Sequence, residues 1–319
     1  MSTLSLKVAS QPPIMLPQKV EHGRRVLFAC RDEDWPGSAL LRAQGFADQL
    51  RDDLFVLQVC TASRTAWRFQ RSNDGLDSLR ILDLVERSHA EIVDRCATIL
   101  SPALPAERIA SRTGDFVECT VQAAAELGAE LIVMPPQPRS CGNAALQVVQ
   151  AARLPVLIAR PGRSQNIVVA ATNLQDRRYP VLRHARSIGT LLQADLLLVH
   201  NVERPPILPT PEVAMLWMQV VPSADTAAQT QRLAAVAQTM PRCVGSVVKS
   251  EPNTAQAILE TSRMCDADLI VMGVARSYSR WERLLRRSVA ANVADGAYRS
   301  VLLFPIAPPS SESLTPAFG

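Results

Sequence analysis

A six-residue stretch of this chain is written twice. Ala129-Glu130-Leu131-Ile132-Val133-Met134 returns 138 residues later as Ala267-Asp268-Leu269-Ile270-Val271-Met272. Each copy follows a small-residue helical stretch, and each leads to a second apolar run, at 155–160 and 300–305. A period of about 140 residues is too long for a solenoid unit and suits a whole domain. The chain must therefore build one design twice. The copies agree where a core is needed and differ at the strand ends, where chemistry would sit.

Within the first half, short apolar runs at 26–30, 54–59, 109–111, 131–134 and 155–158 lack alternation, as strands covered on both faces do. Between them, Leu82, Val85, His89, Ile92, Cys96 and Ile99 step by three or four, which marks one face of a helix. Phe116, Cys119, Ala123, Ala124 and Leu127 do the same in the next helix. The second half repeats the order, with strands at 167–171, 196–200, 244–248, 269–272 and 301–304. Its helices are expected near 180–193, 226–240, 253–265 and 283–297. Strand alternating with helix implies right-handed crossovers and an open α/β sheet. Ligands in such sheets bind beyond the carboxyl ends of the strands.

Composition narrows the function classes. A chain of 319 residues, 47% apolar, can bury two ordinary cores. Its net charge of +4 is small for a dedicated nucleic-acid binder. No apolar run is long enough to span a bilayer, and the N-terminus lacks the pattern of a signal peptide, so a cytoplasmic protein without membrane insertion is expected. Seven cysteines without a CxxC pair suit reduced, mostly buried thiols. Residues 1–22 and 307–319 read as disordered ends, leaving domains at 23–162 and 163–306.

The run Asp268-Leu269-Ile270-Val271-Met272-Gly273 is followed by Glu282-Arg283-Leu284-Leu285, Ser288-Val289-Ala290 and the closing strand 300–305. With Tyr179-Pro180-Val181-Leu182 after the first strand of the second half, these motifs resemble the universal stress protein family in its tandem form. The resemblance covers roughly residues 24–306. It implies two flavodoxin-like, doubly wound domains, each with a five-stranded parallel sheet, joined as an intramolecular pseudo-dimer through their last strands. It also implies a stress-response role and, in the family's ATP-binding branch, a Gly-x-x-Gly loop and a later Gly-Ser or Gly-Thr after strand four. Glycines there let backbone N–H groups reach phosphates, and the next helix offers its positive end.

This chain departs from that pattern. The second half keeps Gly273 and Ser288, but Arg276 and Arg287 stand where the other glycines belong. Asn173 takes the place of the acidic residue after strand one, and the position after strand two falls at Asn201 or Val202. With the flanking Met272 and Val289, these residues form the nucleotide or anion site that the resemblance implies, for ATP or AMP and without a metal. The first half has Met134-Pro135-Pro136-Gln137-Pro138 in place of the glycine turn, and three prolines remove the donors a phosphate needs. Arg31 occupies its acidic position. Nucleotide binding is therefore not expected in the first half.

Several features carry two readings. Arg276, Arg280, Arg283, Arg286 and Arg287 form either a solvated basic face or an anion site replacing lost N–H groups. His200 ends its strand at the rim as a structural hydrogen-bonder rather than a catalyst, and His89 reads as core. Cys30 and Cys60 end neighbouring strands and could approach each other, although small buried hydrophobes are the simpler reading. Five prolines in 203–222 suggest a packed loop or a lid and subunit contact, matched in the first half by 61–78 with Trp67 and Phe69. No Gly-x-Ser-x-Gly elbow or HExxH motif is present. Binding and regulation are expected, with slow ATP hydrolysis the most that catalysis would amount to. The competing expectation is a scaffold that engages a protein partner, or a homodimer partner, through its strand-end loops.

Overall fold

The structure, a computed structural model, describes residues 24–32, 37–60, 78–137, 143–162, 166–174, 179–203, 222–275 and 288–306. The two terminal segments, the arginine cluster at 276–287 and most of the loops at 61–78 and 203–222 lie outside the described residues.

Each half runs through the same order of elements. The first contains β1 (Arg25–Arg31), α1 (Gly37–Leu50), β2 (Asp53–Cys60), α2 (Ser78–Ile99), β3 (Ile109–Thr113), α3 (Phe116–Leu127), β4 (Leu131–Met134), α4 (Ala144–Ala152) and β5 (Val156–Ile158). The second contains β6 (Ile167–Ala171), α5 (Pro180–Leu191), β7 (Asp195–Asn201), α6 (Pro222–Gln238), β8 (Cys243–Lys249), α7 (Thr254–Met264), β9 (Leu269–Ala275), α8 (Val289–Gly296) and β10 (Ser300–Ile306). All ten strands lie in one sheet, in the order β3-β2-β1-β4-β5-β10-β9-β6-β7-β8. The second five strands mirror the first five about the β5–β10 junction. Pairing is parallel within each half and antiparallel across the junction, where Val301, Leu302 and Leu303 face Ile158, Leu157 and Val156.

Local sequence explains why these segments fold so. β1 is buried along its whole length, as a continuous apolar run between two helix layers must be. Its alternate residues divide between two cores: Leu27 and Ala29 face α3, α4, α7 and α8, while Val26 and Phe28 face α1, α2, α5 and α6. Each core continues across the junction into the other half, so neither half has a private interior. Helix ends carry their expected caps. Asp115 accepts the Glu118 N–H, and Gly128 closes α3 in the left-handed region at φ 65°. Asn253 accepts the N–H groups of Ala255 and Gln256 at the start of α7.

Several expected boundaries move. β9 and β10 run three and two residues beyond their expected ends, because Phe304, Pro305 and Ile306 continue the parallel ladder opposite Gly273, Val274 and Ala275. The last helix is described only from Val289, one residue after its capping serine. Among the described residues, no helix is long and apolar enough to cross a membrane.

Candidate functional site

The strand order marks where a ligand crevice would lie in the second half. β6 lies between β9 and β7, and the helices that follow β6 and β9 pack on opposite faces of the sheet. Their carboxyl ends therefore part at β6 and β9, the position where doubly wound sheets bind ligands. Around this point lie Thr172, Asn173, Asn201, Val202, Gly273 and the N-terminus of α8.

Most of the expected site residues are already engaged. Asn201 is buried and makes three hydrogen bonds: Nδ2 donates to Glu251 O at 3.0 Å and to Thr254 Oγ1 at 2.9 Å, and Oδ1 accepts the Glu251 N–H at 3.0 Å. Its side chain ties the end of β7 to the start of α7. The Val202 N–H donates to Lys249 O at 3.0 Å. Met272 is buried and faces the α7–α8 core. Ser288 is the N-cap of α8, its Oγ accepting the Ala291 N–H at 3.0 Å, and Val289 packs against the same core. Asn173 is the exposed member of the set. Arg276 and Arg287 lie outside the described residues.

Gly273 departs from its expected setting. It belongs to β9 opposite Phe304 rather than to a turn beyond the strand. A Cβ at this position would lie 1.7 Å from Ile306 Cδ1 and 2.9 Å from Val181 Cγ2. A side chain at 273 would have to displace the Ile306 side chain, so close packing is a reason for glycine here besides any phosphate. Ile306 is not marked by sequence pattern, since its approach depends on the β9–β10 register.

Other side chains at this end make two separate sets of hydrogen bonds. The His200 ring Nδ1 lies 2.8 Å from Thr172 O, and because a carbonyl only accepts, Nδ1 carries the proton. The Thr172 hydroxyl accepts the Leu174 N–H at 3.2 Å. Tyr179 sits in the left-handed region at φ 45°, and Arg232 Nε donates to its hydroxyl at 3.1 Å. A bulky residue in that region stores strain of roughly 1–3 kcal/mol, often near a functional site. Among the described residues, no group of three or more His, Cys, Asp or Glu side chains could hold a metal ion.

The corresponding end of the first half is filled differently. Arg31 is buried with its guanidinium 4.8 Å from the Phe116 ring centroid. Met134 and Pro135 are buried, and Gln137 Nε2 donates back to Pro135 O at 3.3 Å. The two thiols do not meet: Gln58, not Cys60, lies opposite Cys30. Cys30 Sγ instead lies 3.8 Å from Leu57 O, and Cys60 Sγ lies 3.3 Å from Ser88 Oγ. Burial pushes the Cys60 thiol above its ordinary pKa, opposed by the Ser88 hydrogen bond. His89 is half-buried rather than core, with Nδ1 3.4 Å from Ser111 Oγ.

Comparison with known proteins agrees with this architecture. Residues 164–305 match the Universal stress protein family. The first half repeats the order of elements of that matched segment. A universal stress protein from Archaeoglobus fulgidus DSM 4304 is similar in structure, with a TM-score of 0.59 at 16% identity, covering 88% of this chain and 96% of that one. A universal stress protein from Pseudomonas aeruginosa UCBPP-PA14 gives a TM-score of 0.55 at 17% identity, covering 89% and 93%. A functionally unknown protein from Pseudomonas aeruginosa PAO1 gives 0.55 at 17% identity, covering 89% and 92%. At such identities the likeness concerns the fold. No curated protein matches the chain in sequence.

Proposed function

We propose that this is a regulatory universal stress protein that binds an adenine nucleotide, ATP or AMP, or a related anion in its second half (163–306), and does not turn it over. The first half (23–162) then serves as a permanent structural partner. The observation that carries this reading is the difference between the halves at equivalent strand ends. After β4, Pro135 and Pro136 offer no N–H at two successive positions, and at the end of β1 the buried Arg31 stacks on Phe116. After β9 the chain instead reaches α8, whose Ser288 hydroxyl caps the Ala291 N–H. The Val289 and Ala290 N–H groups have no partner within the helix, a polarity that favours an anion.

The expected contacts are Asn173 at the exposed rim, the first turn of α8, and Arg276 and Arg287 from the sequence between β9 and α8. Equilibrium titration of the full chain with AMP and ATP tests the reading. Saturable binding at one site per chain supports it, and no heat or adduct at millimolar nucleotide would overturn it.

A second reading has its own observation. Asn201 spends its hydrogen-bonding groups on Glu251 and Thr254, and Ile306 covers Gly273. A protein with those two positions closed would serve as a scaffold that binds a protein partner, or a second copy, through the strand-end loops. Absence of nucleotide binding, together with a partner held by those loops, would favour it.

A further inference from the structure

The repeat and the strand registers match the two halves position by position. Leu131 and Leu269 open the duplicated strands, and their ladder partners Val26 and Val168 correspond in turn. Outward from there, Arg25 corresponds to Ile167, Asp53 to Asp195 and Phe55 to Leu197. Gly245, opposite Leu197, holds the place of Arg108, the residue before β3. In the first half two guanidinium groups cover Phe55. Those of Arg25 and Arg108 lie 5.9 Å and 5.6 Å from its ring centroid, and Phe55 is 5% exposed. Arg108 is held there by Asp53, with Nη2 3.0 Å from Oδ1.

In the second half Ile167 and Gly245 replace the two arginines. The arginine that pairs with Asp195 is now Arg242, and it is drawn to the strand end, donating to Gln193 O at 2.6 Å and to Ala194 O at 3.1 Å. Leu197 and Ile167 are left half-buried. Glu126, near the end of α3, corresponds by the same repeat to Met264 at the end of α7, which is 80% exposed. Val244, left out of the β7–β8 ladder by the register shift at Leu196 and Leu197, is 63% exposed. Arg25, Arg108 and Glu126 have thus given way to uncharged residues at one corner, where the amino ends of β6, β7 and β8 meet the end of α7. Exposed apolar side chains gathered in this way mark a contact surface.

We propose that this corner is the interface of a homodimer, in which a second copy of the chain presents the same corner about a twofold axis. The rim selects the occupant. Asp195 and Arg242, each about half exposed, form an ion pair 3.2 Å apart beside Leu197. A twofold partner presents that pair reversed, so each aspartate can face the second copy's arginine. An acidic or a basic partner would set a like charge against one of them. The equivalent corner of the first half is unsuited to this contact, because Arg25 and Arg108 cover Phe55 and Glu126 is engaged by the buried Arg112. The interface lies at the amino ends of the strands, away from the crevice, so the dimer forms with or without nucleotide.

Sedimentation equilibrium of the full chain, from micromolar to millimolar concentration, tests the proposal. The unmodified protein should show a reversible monomer–dimer equilibrium. Gly245→Arg restores the first-half cover: a Cβ there meets Leu197 Cδ1 at an ordinary 3.4 Å, beside Asp195 on the same strand. Met264→Glu restores the first-half charge at an exposed position that tolerates it. Each substitution enters a twofold interface twice. Each should therefore raise the dimer dissociation constant about tenfold or more, with the melting temperature of the monomer unchanged. Leu41→Glu, at a comparably exposed apolar residue on α1, should leave the equilibrium alone. A protein that stays monomeric throughout would overturn the proposal, whether a segment of the same chain or a different protein covers the corner. A dimer whose constant is unmoved by both Gly245→Arg and Met264→Glu would overturn it too, since another surface would then hold the copies together.

Discussion

Ser300 and Arg160 hold each other across the junction of the two halves. The Arg160 N–H donates to Ser300 Oγ at 3.1 Å, and that hydroxyl donates in turn to Arg160 O at 3.1 Å. Ser300 is fully buried at the start of β10. The Arg160 side chain goes further into the second half, donating to Ala294 O at 2.6 Å in the last turn of α8. A cation at a helix C-terminus is favourable, so one residue of the first half both closes the sheet junction and caps a helix of the second.

Ser300→Ala should therefore destabilise the whole chain rather than one half. It removes two hydrogen bonds from the partly buried Arg160 backbone, at a cost of roughly 1–3 kcal/mol. Chemical denaturation should show one transition shifted to lower denaturant. A variant with unchanged stability would mean that the junction relies on apolar pairing alone.

Asn201→Ala separates a structural role from a ligand-binding one. If the three hydrogen bonds to Glu251 and Thr254 describe its function, the variant should lose about 1–3 kcal/mol of stability. Nucleotide affinity measured below the melting transition should change little. Full stability with lost binding would return Asn201 to the ligand.

The duplicated strands β4 and β9 were readable because double-sided burial writes itself as an unbroken apolar run. Helix starts were partly readable for a similar reason: Asp115, Asn253 and Ser288 cap locally, through their own backbone neighbours. What escaped depends on contacts between distant segments. Glu130 and Asp268 occupy the same place in the repeat, yet Glu130 pairs with Arg24 on the surface while Asp268 is buried and accepts the Asn166 N–H at 2.7 Å. At Gly273 the sequence likewise does not show the packing constraint, because Ile306 reaches it only through the β9–β10 register. The Cys30–Cys60 approach failed on register too.

Histidine burial gives a pH dependence of definite sign. Burial lowers the pKa of His89 below 6.5, and burial with Arg183 nearby does the same for His184. As pH falls, the unfolded chain takes up protons at these sites before the folded one does. Their contribution is complete above 6.5 and declines as pH drops through that value toward the lower folded pKa values. His89→Gln, which can still bind Ser111 but does not titrate, should flatten the fall in denaturation midpoint between neutral and mildly acidic pH. An unaltered slope would remove His89 from the account.

Thiol reactivity should follow burial. Burial pushes the Cys96 thiol up to about 12, and Cys30 and Cys60 are also buried. Cys119, Cys243 and Cys265 are half-exposed. Alkylation of the native protein, followed by peptide mass spectrometry, should therefore modify the second group first and leave Cys96 among the last. Early modification of Cys96 would contradict the packing of α2 against the sheet.

The central claim is that two halves of one design have divided their work, one binding and one supporting. Amide hydrogen exchange of the full chain, with and without saturating AMP, tests it most directly. The account predicts added protection at 172–174, at 201–203 and in the first turn of α8, with none at 30–32 or 134–137. Protection at the first-half strand ends, or none anywhere despite bound nucleotide, would contradict it.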